Sequence, residues 1–315
     1  MKTFNDEEVS RALSYNKLIE NLEAIAVDEK AYAPERYVIP IITNTDNDGA
    51  LLTKPGYITN EIIGVKVVTY FPDNGNIAMP TIQAGYMLFS AINGSLIGAC
   101  EANTLTTKRT AAASAAIAKR LAREDSKHLL IIGTGALSPM AATAHAFVRK
   151  YETIEIWGRD ASKAQLVVDT LLANEDLKDV KTIQVCTDLD DSVSKSDVIC
   201  CCTGSKSPVL KGAQLKRGCF IDLIGSFTPE MRESDDDVIK RCDLIFIDTY
   251  DALKSGDIYQ PLQSNLITNE NIQGNYKDII AGKHIGRSNN DEIIMFKSAG
   301  FALQDLAAAK ILFDC

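Results

Sequence analysis

Lys108, Arg109 and Thr110 open a stretch that is otherwise almost all small residues, LTTKRTAAASAAIAKRLA, from Leu105 to Ala122. Alanine at this density predicts a helix that lies close against its neighbours. Burying alanines does not require a cationic, hydroxyl-bearing N-terminus, so these three residues ask for a separate reason. One reading is a solvated first turn; the other is a site. Lys66 raises a similar question. It stands in GVKVVTYF, an apolar β-like run, where a lone lysine is unusual.

The second chemical signal is IIGTGALSP. Gly133 and Gly135 follow a strand-like run and open a helix-like one, with Ala136 and Leu137 continuing the turn. In a dinucleotide turn the first glycine permits the tight bend and the second lets a pyrophosphate approach the backbone. Helix N–H groups and the helix dipole then face the phosphate. The third small position holds Ser138 in place of glycine. The end of the next strand, IEIW, is followed by Gly158 and Arg159, with no carboxylate at the first position past it. Arg159, with Ser162 and Lys163 a turn further on, suits a 2′-phosphate and favours NADPH over NADH. The alternative is that Asp160 reaches back to a ribose hydroxyl and the cofactor is NAD.

These residues need elements to hold them. Residues 5–30 are expected to form one amphipathic helix, capped by Asn5 or Asp6, with apolar positions at Val9, Leu13, Leu18, Leu22 and Ile25. From Tyr37 to about Gly98, short β-like runs broken by Gly, Pro, Asn and Asp predict a mostly antiparallel sheet. From His128 the rhythm is strand, helix, strand: LLIIGTG, SPMAATAHAFVRKY, IEIWGR, ASKAQLVVDTLLAN, then DVICCCTG, CFIDLIG and LIFIDT. That alternation predicts an α/β fold with a Rossmann-type, doubly wound parallel sheet, accompanied by an α+β domain. The stretch SNNDEIIMF is expected to be a loop entering a last strand, and FKSAGFALQDLAAAKILFD a C-terminal helix. The acidic run ESDDDVIKR, Glu233 to Arg241, is expected to be a solvated helix start.

Composition narrows the classes. With 315 residues, 46% hydrophobic and 24% charged, the chain is of ordinary globular type and long enough for two domains. A net charge of −9 repels nucleic acid and anionic membranes, so any anionic ligand must be held by local positive groups. No apolar run has transmembrane length and the polar, acidic N-terminus has no signal core, which leaves the cytoplasm as the expected location. None of the eight cysteines forms a C-x-x-C pair, and Cys200, Cys201 and Cys202 are consecutive. Neighbours on a strand point to opposite faces, so this trio is expected to be small buried hydrophobes and no metal is expected. The three histidines, His128, His145 and His284, have no metal-like spacing.

Several segments together resemble the ornithine cyclodeaminase/mu-crystallin family: GVKVVTYFPDN, LTTKRTAAASAAIAKRLA, IIGTGALS, IEIWGRD, TGSKSPVL, IGSFTPEMRESD and FKSAGFALQDLAAAKI, in family order from about residue 30 to the C-terminus. The resemblance implies a substrate-binding and dimerisation domain over residues 1–120 and 297–315, a Rossmann domain over 121–296, and a homodimer. It implies hydride chemistry at a C=N bond beside a carboxylate. It places a substrate-carboxylate clamp at Arg36, Lys66 and Arg109, and gives Thr110 to the cofactor phosphate. The physical reason fits, because arginine presents a planar fork and a helix N-terminus favours negative charge. Lys66 can also exchange a proton at the imine nitrogen, since burial near other cations lowers a lysine's pKa. Thr203 and Gly204, and Ser298, Ala299 and Gly300, take the positions of the family's nicotinamide-side residues.

One departure bears on the reaction. Cyclodeaminases of this family carry an aspartate just after a glycine pair; here Gly225, Ser226, Phe227 puts a phenyl ring at that position. A phenyl ring moves no proton, and it can pack on the ring carbons of a substrate. The reading is therefore NADPH-dependent reduction of a cyclic ketimine carboxylate, Δ1-pyrroline-2-carboxylate or Δ1-piperideine-2-carboxylate, to L-proline or L-pipecolate. The alternatives are an ornithine or lysine cyclodeaminase releasing ammonia, an alanine dehydrogenase-like enzyme, and a crystallin-type binding protein without catalysis.

Overall fold

Alternating runs rich in Val, Ile, Leu and Tyr become strands wherever one face can be buried. In the computed structural model, which describes residues 1–44 and 47–315, the chain divides into two compact units, residues 1–109 with 301–315 and residues 110–300.

The first unit begins with β1 (Lys2–Phe4), α1 (Asp6–Ala12) and α2 (Tyr15–Val27). The single helix expected over residues 5–30 is thus two. Asn5 and Glu8 form a capping box that starts α1. Leu13 then leaves the helical region (φ −91°, ψ 83°), and Ser14, in extended conformation, starts α2. Leu13 at the break is fully buried, as are Leu18 and Leu22 of α2. Next come β2 (Ala31–Tyr32), β3 (Tyr37–Ile41), β4 (Gly49–Ile58), β5 (Ile62–Tyr70), β6 (Ile82–Ser90) and β7 (Leu96–Glu101). They form a seven-stranded sheet ordered β1-β7-β6-β5-β4-β2, with β3 also on β4. Every pairing is antiparallel, as expected, except that of β1 with β7.

The alanine-rich stretch is α3 (Asn103–Leu121), and the division between units falls within it, between Arg109 and Thr110. Ala111, Ala112, Ala115, Ala116 and Ala118 are all fully buried, as are Leu105, Ile117 and Leu121 of the same helix.

The second unit alternates β8 (His128–Ile132), α4 (Leu137–Val148), β9 (Thr153–Trp157), α5 (Ala161–Leu172), β10 (Thr182–Val185), α6 (Leu189–Lys195), β11 (Val198–Cys201), β12 (Phe220–Leu223), α7 (Asp236–Arg241), β13 (Leu244–Ile247), α8 (Gly256–Gln263), β14 (Ile272–Asn275), α9 (Tyr276–Ile280) and β15 (Ile294–Lys297). The sheet has eight strands, ordered β10-β9-β8-β11-β12-β15-β13-β14, and every pairing is parallel. Every residue of β11, β12 and β15 is buried, the pattern of strands covered on both faces. The strand order reverses between β8 and β11, which opens a crevice at their C-terminal ends, where doubly wound sheets bind ligands. The chain ends in α10 (Ala302–Phe313), which lies over β4 and β5 in the first unit. No helix among the described residues is long and apolar enough to cross a membrane.

Candidate active site

In the first unit, the antiparallel register sets Lys54, Lys66, Tyr86 and Cys100 side by side across β4, β5, β6 and β7. Lys54 and Lys66 are directly opposite each other, and two like charges so placed repel. The offset comes from α10. Asp305 is fully buried, and its Oδ1 accepts a 2.7 Å hydrogen bond from Lys66 Nζ while Arg109 Nε forms an ion pair with the same oxygen at 2.7 Å. Lys66 Nζ also donates to Thr106 Oγ1 at 3.2 Å, and Arg109 Nη1 to Gln304 Oε1 at 2.5 Å. Lys66 and Arg109 are only 1% and 3% exposed. Asp305 Oδ2 accepts no hydrogen bond among the described residues.

Such burial sets the protonation chemistry. Desolvation, and then the charge of Arg109, push the pKa of Lys66 well below the ordinary lysine value, with Asp305 pulling the other way. Burial raises that of Asp305, but Arg109, Lys66 and Lys54 outweigh it and hold the carboxyl below its usual range. Burial, then Asp305 and Cys100, raise the Tyr86 phenol. A glycine two residues before Lys66 on β5 makes room for that phenol, since a β-carbon on Gly64 would collide with the Tyr86 hydroxyl. The site therefore offers a lysine that releases a proton easily, locked to an arginine through one carboxylate. Arg36 stands in the loop before β3, half-buried. The pairing of Tyr37 with Thr53 puts it at the register position next to Lys54. It is not among the charges acting most strongly on Lys66 or Asp305.

In the second unit, the turn after β8 sets its two glycines in different surroundings. Gly133 has φ 139°, and a β-carbon there would meet Cys202 O and Sγ at 2.8 Å. At Gly135 a β-carbon would meet nothing within 4 Å, so the backbone faces open space. Ser138, in the third small position, donates from Oγ to Gly133 O at 2.8 Å and closes the turn itself. The N-cap of α4 is Ala136, whose side chain makes no cap hydrogen bond; Ser138 N donates to Gly135 O at 3.0 Å, and Pro139 has no N–H. After β9, Arg159 is exposed. Asp160 is the N-cap of α5, and its Oδ1 accepts from Ser162 N at 2.9 Å and Lys163 N at 3.4 Å. Thr110 is half-buried on α3, and Phe227 half-buried after β12. Ser298 Oγ, Ala299 N and Gly300 N all donate to Asp248 Oδ2, at 2.8, 2.8 and 2.6 Å.

A family model described as the ornithine cyclodeaminase/mu-crystallin family matches residues 4–315. The chain belongs to this family. Its similarity to the Δ1-pyrroline-2-carboxylate reductase of Colwellia psychrerythraea is 32% identity over 314 residues, 98% of this chain and 97% of the relative. The solved structure of the Thermococcus litoralis Δ1-pyrroline-2-carboxylate reductase in complex with NADH and L-proline matches with a TM-score of 0.91 at 28% identity, covering 100% of this chain and 97% of that one. An archaeal alanine dehydrogenase dimer with bound NAD matches with a TM-score of 0.88 at 27% identity, covering 99% and 94%.

Sequence reasoning missed several members of these clusters. Asp305 is a lone acid in the apolar run FALQDLAAAKI, and Lys54 a lone lysine in the strand GALLTKPGYI; both carry the signal that drew attention to Lys66. The acidic run from Glu233 is not solvated throughout: Glu233 and Ser234 are fully buried, and only from Asp235, the N-cap of α7, does the helix start. Cys200 is a free, fully buried cysteine, as expected. It lies with His145 and Asp222 in a buried group whose ligand-type atoms fall within 4.8 Å of one another. Residues so far apart in sequence carry no spacing signal. In the structure Asp222 Oδ2 accepts from Ser114 Oγ and lies 3.1 Å from His145 Nε2, which is 3.2 Å from Ser114 Oγ, while Asp222 Oδ1 and His145 Nδ1 are buried with no hydrogen bond among the described residues.

Proposed function

We propose that this protein reduces a cyclic ketimine carboxylate, Δ1-pyrroline-2-carboxylate or Δ1-piperideine-2-carboxylate, to L-proline or L-pipecolate with NADPH. The observation that carries the reading is the buried Lys66–Asp305–Arg109 cluster, in a chain 32% identical to a reductase named for the five-membered ring. Arg109 binds the substrate carboxylate through donors beyond the two committed to Asp305 and Gln304. Lys66, its pKa lowered by burial and Arg109, delivers a proton to the ring nitrogen, and Asp305 holds its ammonium in place for that transfer. Arg36 and Lys54 add positive charge along the same row. The nicotinamide supplies the hydride when bound; it adds to the imine carbon as the nitrogen takes the proton. Phe227 carries no titratable group, so that position offers no base for amine elimination.

The second unit fits the cofactor. The open approach at Gly135 and the uncapped start of α4 suit a pyrophosphate. Thr110, Thr203–Gly204 and Ser298–Gly300 are the other residues assigned to it. Asp160 is committed to capping α5, whereas Arg159 is exposed, which favours a 2′-phosphate and hence NADPH. Ser162 and Lys163 present the same helix start.

We infer a homodimer as well. Tyr37, Ile39, Tyr57, Ile63 and Met87 share the sheet face opposite to Lys66, each 39–65% exposed. An apolar sheet face of this kind is covered in a stable protein, and a second copy is the occupant suggested by the dimeric archaeal relative. Light scattering at micromolar concentration that gives a monomer would reject it.

The activity is tested by following cofactor oxidation with Δ1-pyrroline-2-carboxylate, with NADPH and NADH in parallel. Oxidation that is faster with NADPH supports the whole reading. Oxidation only with pyruvate and ammonia would replace it with an alanine dehydrogenase activity, and ammonia release from ornithine with a cyclodeaminase.

A further inference from the structure

Glu233, Asp257 and Lys297 are three charged residues of the second unit with no exposed surface, and the proposed reaction uses none of them. Burying charge is costly, and well-packed apolar residues often replace such groups without loss of stability, so a role in orientation has to be sought. Glu233 makes that role visible. Its Oε1 accepts from Thr203 N at 2.7 Å and Thr203 Oγ1 at 3.1 Å; its Oε2 accepts from Gly225 N at 2.8 Å and Ser226 N at 3.1 Å. In its ionised form this one carboxylate spends all four lone-pair positions on the exits of two neighbouring strands, β11 and β12. Those exits are pressed together, since a β-carbon on Gly225 would collide with the Thr203 backbone.

The other two charges hold Glu233 itself. Asp257 Oδ1 accepts from Glu233 N and Ser234 N at 2.9 Å, and its Oδ2 accepts from Ser226 Oγ. Lys297 Nζ, at the end of β15, is 3.7 Å from Glu233 Oε2 and 3.4 Å from Asp257 Oδ2. The three strand exits wired in this way lead directly into Thr203–Gly204, Phe227 and Ser298–Gly300.

We propose that Glu233 is a positioning residue of the nicotinamide site: one carboxylate sets the exits of β11 and β12, and with them the backbone that receives the cofactor. This rests on the nicotinamide reading of the second unit. The same sheet supplies a control. Asp197, at the opposite, N-terminal edge, ties strand starts in similar fashion, accepting from Lys127 N at 2.8 Å and His128 N at 3.1 Å. Glu233→Gln puts an amide donor against backbone donors, and Asp197→Asn does the same away from the crevice.

The experiment measures three things on wild type, E233Q, E233D, K297M and D197N: thermal midpoint, NADPH and NADH affinity by nicotinamide fluorescence, and amide exchange at Thr203, Gly225 and Ser226. Expected results are a rise of at least tenfold in the cofactor Kd of E233Q, partial recovery in E233D, and faster exchange at those three amides. In D197N the midpoint falls while cofactor affinity stays within twofold of wild type. A cofactor Kd in E233Q within twofold of wild type, or an equal loss in D197N, overturns the proposal as a mere stability effect. Cofactor binding is read without any imino acid, so failure of the ketimine reading appears separately, as bound cofactor with no oxidation in the wild type.

Discussion

Replacing Asp305 by asparagine gives the sharpest test of the cluster on which the proposed chemistry depends. Among the described residues, Asp305 is the carboxylate placed against Lys66 and Arg109, both 2.7 Å from its Oδ1 and both under 4% exposed. Removing it leaves two buried cations facing each other, with Lys54 opposite Lys66 adding to the repulsion. Breaking a buried pair from one side costs about 3–5 kcal/mol, a sizeable share of the roughly 5–15 kcal/mol of a whole domain. With a urea slope of about 2–3 kcal/mol per molar, the midpoint falls by roughly 1–2.5 M. The assay must report on the first unit. The single tryptophan, Trp157, lies on β9 of the second, so far-UV circular dichroism replaces its fluorescence. The double variant Lys66→Met, Asp305→Leu removes both charges at once, and its cost should fall short of the summed single costs by more than about 1 kcal/mol. A loss below about 1 kcal/mol in Asp305→Asn, or full additivity in the double variant, would refute the claim that Asp305 binds the two cations together.

Arg109→Ala removes a charge-assisted contact worth about 1.5–3 kcal/mol, so kcat/KM for the imino acid should drop by roughly ten- to a hundredfold, with cofactor affinity in the isolated binding assay changed far less. In Arg159→Ala the ratio of kcat/KM for NADPH to that for NADH should fall by about tenfold; an unchanged ratio would mean that another group reads the ribose. The stability of the wild type relative to E233Q should decline as pH rises from about 4.5 to about 7. Burial pushes the Glu233 carboxyl up to about 7, against the pull of Lys297 and the backbone donors, so across that window the folded state holds a proton the unfolded state has lost. The sign is that of a raised acid, roughly 3 kcal/mol at the upper end, and E233Q should lack this slope. Lys66 acts at the other extreme: its lowered pKa means that the unfolded chain binds the extra proton, so stability contributed by this group is lost as pH falls below about 10.4 toward the folded value, measurable as a smaller alkaline slope in Lys66→Met.

The two folds within the chain were legible because each is written in short-range pattern. Buried parallel strands read as continuous apolar runs such as VICC and FIDL, and half-buried antiparallel strands read as alternation between turn residues. The break at Leu13–Ser14 was hidden because Leu13 fits the apolar period and is fully buried whether or not the helix continues.

The same division runs through the site. The sequence by itself determined the residues whose type is out of place: an arginine at the head of an alanine helix, a lysine in an apolar strand, two glycines between strand and helix, and a phenylalanine after Gly225–Ser226. What each one meets was decided by tertiary structure alone. Lys66 and Asp305 are 239 residues apart, and Thr203 and Glu233 30 apart, yet each pair shares a hydrogen bond of 2.7 Å. No local periodicity encodes such a meeting. A carboxylate's partners follow from strand register and from which helix covers which face, and those depend on how the whole chain buries its apolar surface.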